Sequence, residues 1–554
     1  MMNGKKAVFL TAMVFALCAM PLIAGGGSQG TQARNLDYLN TASEMPIVKD
    51  KITLQLVMSR DVDQGAAERI WFWKWAEKEM NISFDVVQLN STVARERVNL
   101  MLASNELPDM FFAGPGFSTR DIFQYGQKEG QLLALNGLIT AHAPNVNRYF
   151  TQSPSIRAQS TCPDGNIYFL PGVNQQPQTY NCPRPFIKVG WLDKLGLKMP
   201  ATLDEFYDVL VAFRDRDPNG SGIKNIIPLA GGATAMNQSL TIISAAMGFP
   251  EPNALAPVVI NNEAKLFAAS PIYGEFLRYV NRLYSEQLLD NEYYTNTMVQ
   301  LQAKAVEQRL GVYVHSAPFT LNADENDWTQ FEAFTPMTSR WSGTRVWLDD
   351  PEIIPGMFSI TSACKYPEAA VRFGDFFFSE KGAMYCYYGP PADHADLMGL
   401  HTGWFFDPNG AVTYNRPAEF PADQNYRMGA IASKSPPNFG DNDFQTAIEN
   451  FTGRKFIFAP TARGWRVSMD KYVKDSQIPR YPVVYFEGDT NDRILELLTS
   501  IGDYMTSMDA RFITGSEPMA NLPGYLDRLK TMGVGELEKI YQDAYAIYMR
   551  NLRR

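Results

Sequence analysis

The chain predicts an α/β protein built around parallel strands wrapped by helices. Two observations carry that expectation. Strand-like and helix-like segments alternate as βαβα from about residue 51, and the same style restarts near residue 185. The composition is that of an ordinary globular body, with 45% hydrophobic and 20% charged residues in 554 positions, enough for two to four domains.

The elements follow in order. Lys51 to Val57 alternates apolar and polar residues as a first strand. A helix is expected from about Gly65 to Met80, with Trp71 and Trp75 four apart on one core-facing side and Trp73 pointing elsewhere. Ile82 to Val87 reads as a second strand, Arg95 to Ala103 as an amphipathic helix, and Pro108 to Ala113 as a third strand running into a Gly114–Thr119 loop. In the middle, Phe186 to Val189 is strand-like. Thr202, with Glu205 three residues on, forms a capping box for a helix over 203–214. Leu310–His315, Phe331–Thr335 and Ile353–Thr361 are further strands, followed by a helix over Pro367–Phe378. The end is helical: Arg493–Asp509, Leu522–Met532 and Val534–Arg550.

The N-terminus is an export signal over 1–24. Lys5 and Lys6 precede an apolar run to Ile23, and Ala24 meets Gly25-Gly26-Gly27-Ser28. That run is too short and poorly flanked for a membrane span. A flexible tether follows over 25–47. Cys18 follows Leu17 and not a small residue, which suits lipidation poorly, while cleavage after Ala24 gives a free form; both a free and a lipid-tethered exported protein stay open. Outside the leader, Cys162, Cys182, Cys364 and Cys386 permit two disulfides, with sequence neighbours pairing as Cys162–Cys182 and Cys364–Cys386, or four free thiols. The net charge of −9 argues against nucleic-acid partners and against a polybasic membrane anchor.

Several segments in order make the sequence specific: Arg97–Asp109, Asp164–Pro171, Trp191–Leu197 with Thr202–Phe206, Asp217–Gly222, Tyr366–Ala370 with Ser379–Gly382, and, near the end, Phe512–Gly515, Leu529–Gly533 and Tyr541–Tyr545. Together they resemble family 1 extracellular solute-binding proteins, the receptors of carbohydrate ABC importers, and in particular the large oligosaccharide- and alginate-binding branch. The resemblance implies a type II periplasmic-binding fold. Two α/β lobes joined by crossover strands at a hinge close on a sugar, and a helical C-terminal portion completes the fold. The expected division is an N-lobe of 48–180 and 358–460, a second lobe of 185–352, and helices over 461–554 packing across the lobes. The implied partners are an oligosaccharide and membrane ABC permease subunits, with the chain acting as a monomer.

A sugar cleft needs flat rings for the apolar faces of the pyranose and planar polar groups for its hydroxyls. One polar loop concentrates both: Arg340, Trp341, Arg345 and Trp347, followed by Asp349 and Asp350. Ser59 and Arg60 after the first strand and Phe117 after the third sit where parallel sheets place ligands. His315 and Phe319 follow a later strand, and Trp404 is a further ring candidate. No catalytic residue is expected. The four His residues show no metal-ligand spacing, and no nucleophile elbow or phosphate-cradling loop is present. The rivals are a secreted glycan-active hydrolase, for which Asp349 and Asp350 are the carboxylates to consider, and a ligand-sensing subunit of a membrane receptor.

A metal reading attaches to one loop. Asp217, Asn219, Ser221, the Ile223 carbonyl and Asn225 follow the alternate spacing of calcium loops. The alginate-binding relatives carry a structural calcium in a matching loop closed by an acidic pair; here those places hold Asn225 and Ile226. A structural calcium and a hydrogen-bonded turn without the ion both follow from this loop.

Overall fold

The computed structural model describes residues 36–382 and 480–553, less 42–44, 61–65, 68–69, 91, 115, 174–182, 233–237, 252, 316 and 348–351, together with 385, 404–406, 408 and 412–414. The export signal, most of the tether, Asp349, Asp350, Cys182, Cys386 and the side chain of Trp404 lie outside the described residues.

Thirteen strands are described: β1 Ile52–Ser59, β2 Ile82–Leu89, β3 Met110–Phe112, β4 Leu170–Val173, β5 Arg184–Lys188, β6 Ile227–Leu229, β7 Val258–Ile260, β8 Glu263–Lys265, β9 Leu310–His315, β10 Phe331–Ala333, β11 Ile353–Ile360, β12 Trp404–Phe406 and β13 Val412–Tyr414. The helices that bear on the site are α1 Trp71–Met80, α2 Ala94–Ser104, α3 Pro144–Gln152, α4 Pro154–Ser160, α5 Leu203–Asp215, α6 Thr241–Ala246, α7 Tyr273–Ser285, α8 Met298–Val306, α9 Pro367–Phe376, α10 Gly488–Thr514, α11 Leu522–Met532 and α12 Val534–Leu552.

Two sheets organise the molecule as two α/β lobes. The first has the order β2-β1-β3-β11-β4, with β1, β2 and β3 parallel and β11 antiparallel to both β3 and β4. The second has the order β10-β5-β9-β6, with β6 and β9 parallel and β5 antiparallel to β9 and β10. Each sheet has its own core.

In the first core, α1 buries more than one face: Trp71, Phe72, Trp73 and Trp75 are all inside. Trp73, expected to point elsewhere, packs on Phe84 at 5.1 Å, and its indole N–H donates to the Ala67 carbonyl at 2.9 Å. The reason is enclosure. Helix α9, buried at every position, closes over the other side of α1, so Phe72 meets both Phe376 and Phe377. The α5 capping box forms as the Thr202–Glu205 spacing predicts, each side chain serving the other residue's backbone N–H.

The C-terminal helices α10, α11 and α12 put their buried apolar residues into the second core, including Leu497, Ile501, Phe512, Leu529 and Leu537. Helix α12 also touches α4 of the first lobe. Cys162 and Cys364 are free, buried thiols, and their expected partners Cys182 and Cys386 lie outside the described residues. Burial pushes both thiols up to about 12, which leaves them protonated and unreactive at neutral pH.

Candidate ligand cleft

The strand registers place the cleft. Strand β11 runs against β3, with Phe358 opposite Phe112 and Ile360 opposite Met110, so the start of β11 lies beyond the carboxyl end of β3. Ile353 at that start pairs with Val173, the last residue of β4. Both crossovers therefore leave the first sheet where β1 and β3 end. In the second sheet Arg184, the first residue of β5, pairs with His315, the last of β9. Strand β10 is antiparallel to β5, so it ends on the same side. The crossovers thus join the carboxyl ends of one parallel set to the carboxyl ends of the other. In open α/β sheets that edge is where ligands bind.

On the first lobe Ser59 ends β1 and Arg60 follows it. Both are buried, and the Arg60 backbone is tied to β2 through its N–H to the Leu89 carbonyl and its carbonyl from the Gln88 amide. After β3, Ala113 and Gly114 take positive φ (60° and 69°) and turn the chain across the edge. Phe117 is buried edge-on against Phe111 at 5.1 Å. Gly356, at φ 68°, makes room for it, since a Cβ there would stand 2.5 Å from the Phe117 Cβ. Phe117, expected to line the ligand, is in this conformation a core ring beneath the edge.

On the second lobe the turn after β6 is held by a buried polar network. Asn296 donates to the Gly231 carbonyl at 2.8 Å and to Asp290 at 2.9 Å. Lys304 donates to Asp290 and to Asn296, both at 2.8 Å. His315 is buried, with Thr320 Oγ1 at 2.6 Å from its Nδ1. Burial holds its pKa down to about 4, so the ring is neutral at pH 7 and supplies shape and a hydrogen bond, not charge. Phe319 is 47% exposed and meets Trp328 edge-on at 6.1 Å.

The loop of two Trp and two Arg divides. Trp347 is 1% exposed and its indole N–H donates to the Pro183 carbonyl at 3.0 Å. It is a core ring that pins one crossover to the other, which corrects its expected place as a stacking platform. Arg340 reaches Glu275 on α7 at 3.6 Å and lies 4.1 Å over the Trp341 ring. That stack uses one face of the indole for the protein's own cation. Ser339 donates to the Ala246 carbonyl at the end of α6, which fixes the turn there. Arg345 is half-buried, and its Nε has no hydrogen-bond partner among the described residues.

The structure adds a feature that sequence reasoning missed. A cavity of about 600 Å³ opens in the second lobe between α6, α7 and α10. Gln238 and Thr241 continue from the turn after β6, and Tyr273, Tyr294 and Asp509 line it farther in. Asp509 accepts the Tyr273 hydroxyl at 2.5 Å and the Tyr525 hydroxyl at 2.7 Å. Burial pushes its carboxyl up to about 6 against those two donors. Glu251 on the opposite wall is likewise raised by burial, with Arg480 pulling the other way. Rings beside hydroxyl, amide and carboxyl groups are the lining a polyol needs. The adjacent Tyr293-Tyr294 was the one sequence signal for it.

The metal-type loop is closed by its own hydrogen bonds. Asp217, at φ 47°, accepts the backbone N–H of Ser221 at 3.1 Å and of Gly222 at 3.0 Å. The Ser221 hydroxyl lies 3.2 Å from both the Ile223 carbonyl and Asn225 Oδ1. Lys194 donates to the Pro218 carbonyl at 2.8 Å. Asp217, the Ile223 carbonyl and Asn225 gather around the Ser221 hydroxyl, while Asn219 turns its amide nitrogen to Asn225 Oδ1 at 3.3 Å; Asp217 is the sole carboxylate among them, and a hard dication wants several. Among the described residues no group of three or more His, Cys, Asp or Glu is placed to hold a metal.

Residues 61–384 match the bacterial extracellular solute-binding protein family, more than half of the chain. The chain belongs to that family. Over 565 aligned residues it is 24% identical to the fructooligosaccharide ABC transporter substrate-binding protein FusA of Streptococcus pneumoniae serotype 4, covering 99% of this chain and 98% of the relative. Among solved structures, an EF-hand mutant of S. pneumoniae FusA in complex with fructo-nystose matches with a TM-score of 0.70 at 21% identity, over 90% of this chain and 100% of that one. The alginate-binding protein AlgQ2 without calcium ion matches with a TM-score of 0.66 at 23% identity, over 90% and 99%. At such identities the likeness speaks for the fold, the two-lobed α/β architecture derived above. Among the described residues no helix is long and apolar enough to cross a membrane.

Proposed function

We propose that this extracellular solute-binding protein captures an oligosaccharide between its lobes and delivers it to a membrane ABC permease. One observation carries the reading: both crossovers join the carboxyl ends of the two parallel strand sets, which makes a hinged cleft of the sheet edges. The names of the similar proteins, a fructooligosaccharide receptor and an alginate-binding protein, support a glycan as the solute. In this reading the lobe division is the one expected from sequence, except that the C-terminal helices, expected to pack across the lobes, belong to the second, with α12 reaching α4. Ser59, Arg60 and Phe117 shape the first wall from beneath. His315, Phe319, Trp341 and Arg345, with Arg340 and Trp347 as their supports, shape the second. The cavity at Tyr273, Tyr294 and Asp509 receives part of the glycan.

Binding without chemistry fits these groups. The family is one of binding proteins, and the buried His315 is tied to Thr320 and held neutral. The carboxyl groups on the cavity wall, Glu251 and Asp509, favour a neutral saccharide over a uronate, because a second anion beside them is repelled. The Asp217 loop serves as a hydrogen-bonded turn in this proposal, with Lys194 supplying the nearest cation.

Calorimetric titration with neutral fructo- and gluco-oligosaccharides and with oligouronates, followed by chromatography of the mixture, tests the reading. Stoichiometric binding of a neutral oligosaccharide with no new products is expected. Accumulating cleavage products would replace it with the hydrolase reading, and no binding by any saccharide would remove the glycan.

A further inference from the structure

The lobes are joined by more than the two crossovers. After α9 in the first lobe, the chain returns at residues 480–487 on its way to α10 in the second. Its side chains divide between the cores: Val483 and Tyr485 pack on the first, Tyr481 and Phe486 on the second. The segment is sewn to both sides. The Val483 N–H donates to Gln159 Oε1 at 3.0 Å, and the Tyr485 hydroxyl donates to the Gln159 carbonyl at 3.1 Å. On the other side, the Tyr481 hydroxyl donates to the Tyr541 carbonyl of α12 at 2.8 Å.

Gln159 lies on α4, against the first core, and its amide has two further partners. It donates to Ser155 Oγ at 3.0 Å and to Glu352 Oε2 at 2.7 Å. Glu352 is the last crossover residue before β11. Ser155 donates to the same Glu352 oxygen and lies 3.1 Å from the hydroxyl of Tyr548 on α12. One half-buried cluster thus ties an element of the first lobe, a crossover and a helix anchored in the second core. The β4–β11 edge of the sheet, where the crossovers leave, is also where α4 packs.

We propose that Ser155, Gln159, Glu352 and Tyr548 form a noncovalent tie across the hinge, beside the two crossovers and the 480–487 passage, that limits how far and in which direction the lobes open. Two peptide crossovers side by side define an axis but leave twisting soft. A further tie through α12, beside the 480–487 segment, removes that freedom. Its consequence for binding is a population effect: the narrower the range of unliganded arrangements, the larger the fraction ready to close, and apparent affinity scales with that fraction.

The test needs no ligand. Leu100 on α2 and Val299 on α8, one on each lobe, are 60% and 74% exposed and accept fluorophores through a bio-orthogonal amino acid that leaves the native thiols untouched. Single-molecule transfer efficiency then reports the inter-lobe distance in the full chain. Ser155→Ala with Tyr548→Phe cuts the α4–α12 link but keeps the Tyr548 ring in place. A visibly broadened distance distribution is expected, with no broadening in Lys539→Ala, which breaks an exposed ion pair to Asp543 on the same helix. If the double variant melts below the working temperature, Tyr548→Phe alone carries the test with a smaller broadening. A wild-type distribution in a folded variant, or equal broadening in the Lys539 control, overturns the proposal. This outcome is independent of which solute binds.

Discussion

The two lobes are stabilised by different means. The first is held by rings. Phe72 meets Trp71, Trp73, Trp75, Phe373, Phe376 and Phe377, and Trp71 and Trp75 both reach Tyr385. Both lobes bury charged groups, Glu368, Arg372 and Asp375 among them in the first, and the second adds buried lysine–aspartate pairs. Lys188 pairs with Asp327 between the Trp191 and Phe331 rings, Lys304 pairs with Asp290, and Asp509 sits under two tyrosines beside an open cavity. A ring core makes a platform with little to adjust. Buried ion pairs contribute little net stability but hold specific loops, here the turn after β6 and the 322–331 stretch, in one arrangement. The adaptable chemistry therefore collects in the second lobe.

The sharpest way to break this contrast is to damage each core and attempt a repair. Phe72→Ala empties the centre of the ring cluster and should cost about 3–5 kcal/mol. Lys188→Met strands the Asp327 carboxylate and should cost about as much. The repairs differ. Adding Asp327→Leu to Lys188→Met should recover most of the loss, because two apolar residues replace a pair whose desolvation was costly, and Asn322 keeps its bond to the Ala305 carbonyl. Urea denaturation measures all three. A double variant no more stable than the single one would mean that the charges themselves, not their mutual neutralisation, hold the second lobe.

A smaller effect separates packing from ligand contact at Phe117. Gly356→Ala drives a Cβ against the Phe117 Cβ at a positive φ and should cost about 2–4 kcal/mol. Phe117→Gly in the same chain removes the Cβ it meets and relieves the clash, leaving mainly the backbone strain of about 1–2 kcal/mol and the lost ring. If Phe117→Ala alone abolishes glycan binding without lowering stability, the ring is a ligand platform after all.

These cases show what the sequence could and could not convey. Periodicity and capping act over a few residues, so β1, α2, the α5 capping box and the 522–532 helix were readable. The side of the sheet on which ligands sit was readable too, because strand direction follows from the βαβ order. Ring fate was not. Trp347 and Trp341 stand in the same polar loop, yet one meets the Pro183 carbonyl in the core and the other an arginine at the surface. That difference is made by a contact 164 residues away. The cavity depends on Tyr273 and Asp509, 236 residues apart. Nothing local marks such a pair.

Each lobe also holds one carboxyl group raised by burial to about 6: Asp375, which accepts the Val146 N–H at the start of α3, and Asp509. Both folded values lie above the ordinary 3.8 of an unfolded aspartate. The native state therefore binds more protons between about pH 4 and 6, and stability contributed by the protonated forms is full below pH 4 and lost as pH rises through 6. The size is about 2–3 kcal/mol for each group. Asp375→Asn and Asp509→Asn should each remove part of the slope of unfolding free energy against pH in that window. An unchanged slope in both would show that these groups are not what the native state protonates.

The smallest effect is expected at the Asp217 loop, and it bears on the same contrast. If charge in the second lobe always works through internal partners, the loop should need no external cation. Its Asp217 oxygens are already used by Ser221 and Gly222, Ser221 spans to Ile223 and Asn225, and Lys194 caps the Pro218 carbonyl. With one carboxylate and a nearby ammonium, a dication would have to displace hydrogen bonds for little Coulombic return. Thermal melting in excess chelator should therefore match melting in millimolar calcium to within about 1 °C, against the roughly 2–4 °C per kcal/mol expected of a domain this size were binding linked to folding. Adding acidic groups at the closing positions, Asn225→Asp with Ile226→Glu, should create that dependence. A calcium-stabilised wild-type chain would mean that one carboxylate suffices and that the loop, unlike its neighbours, borrows its charge from solution.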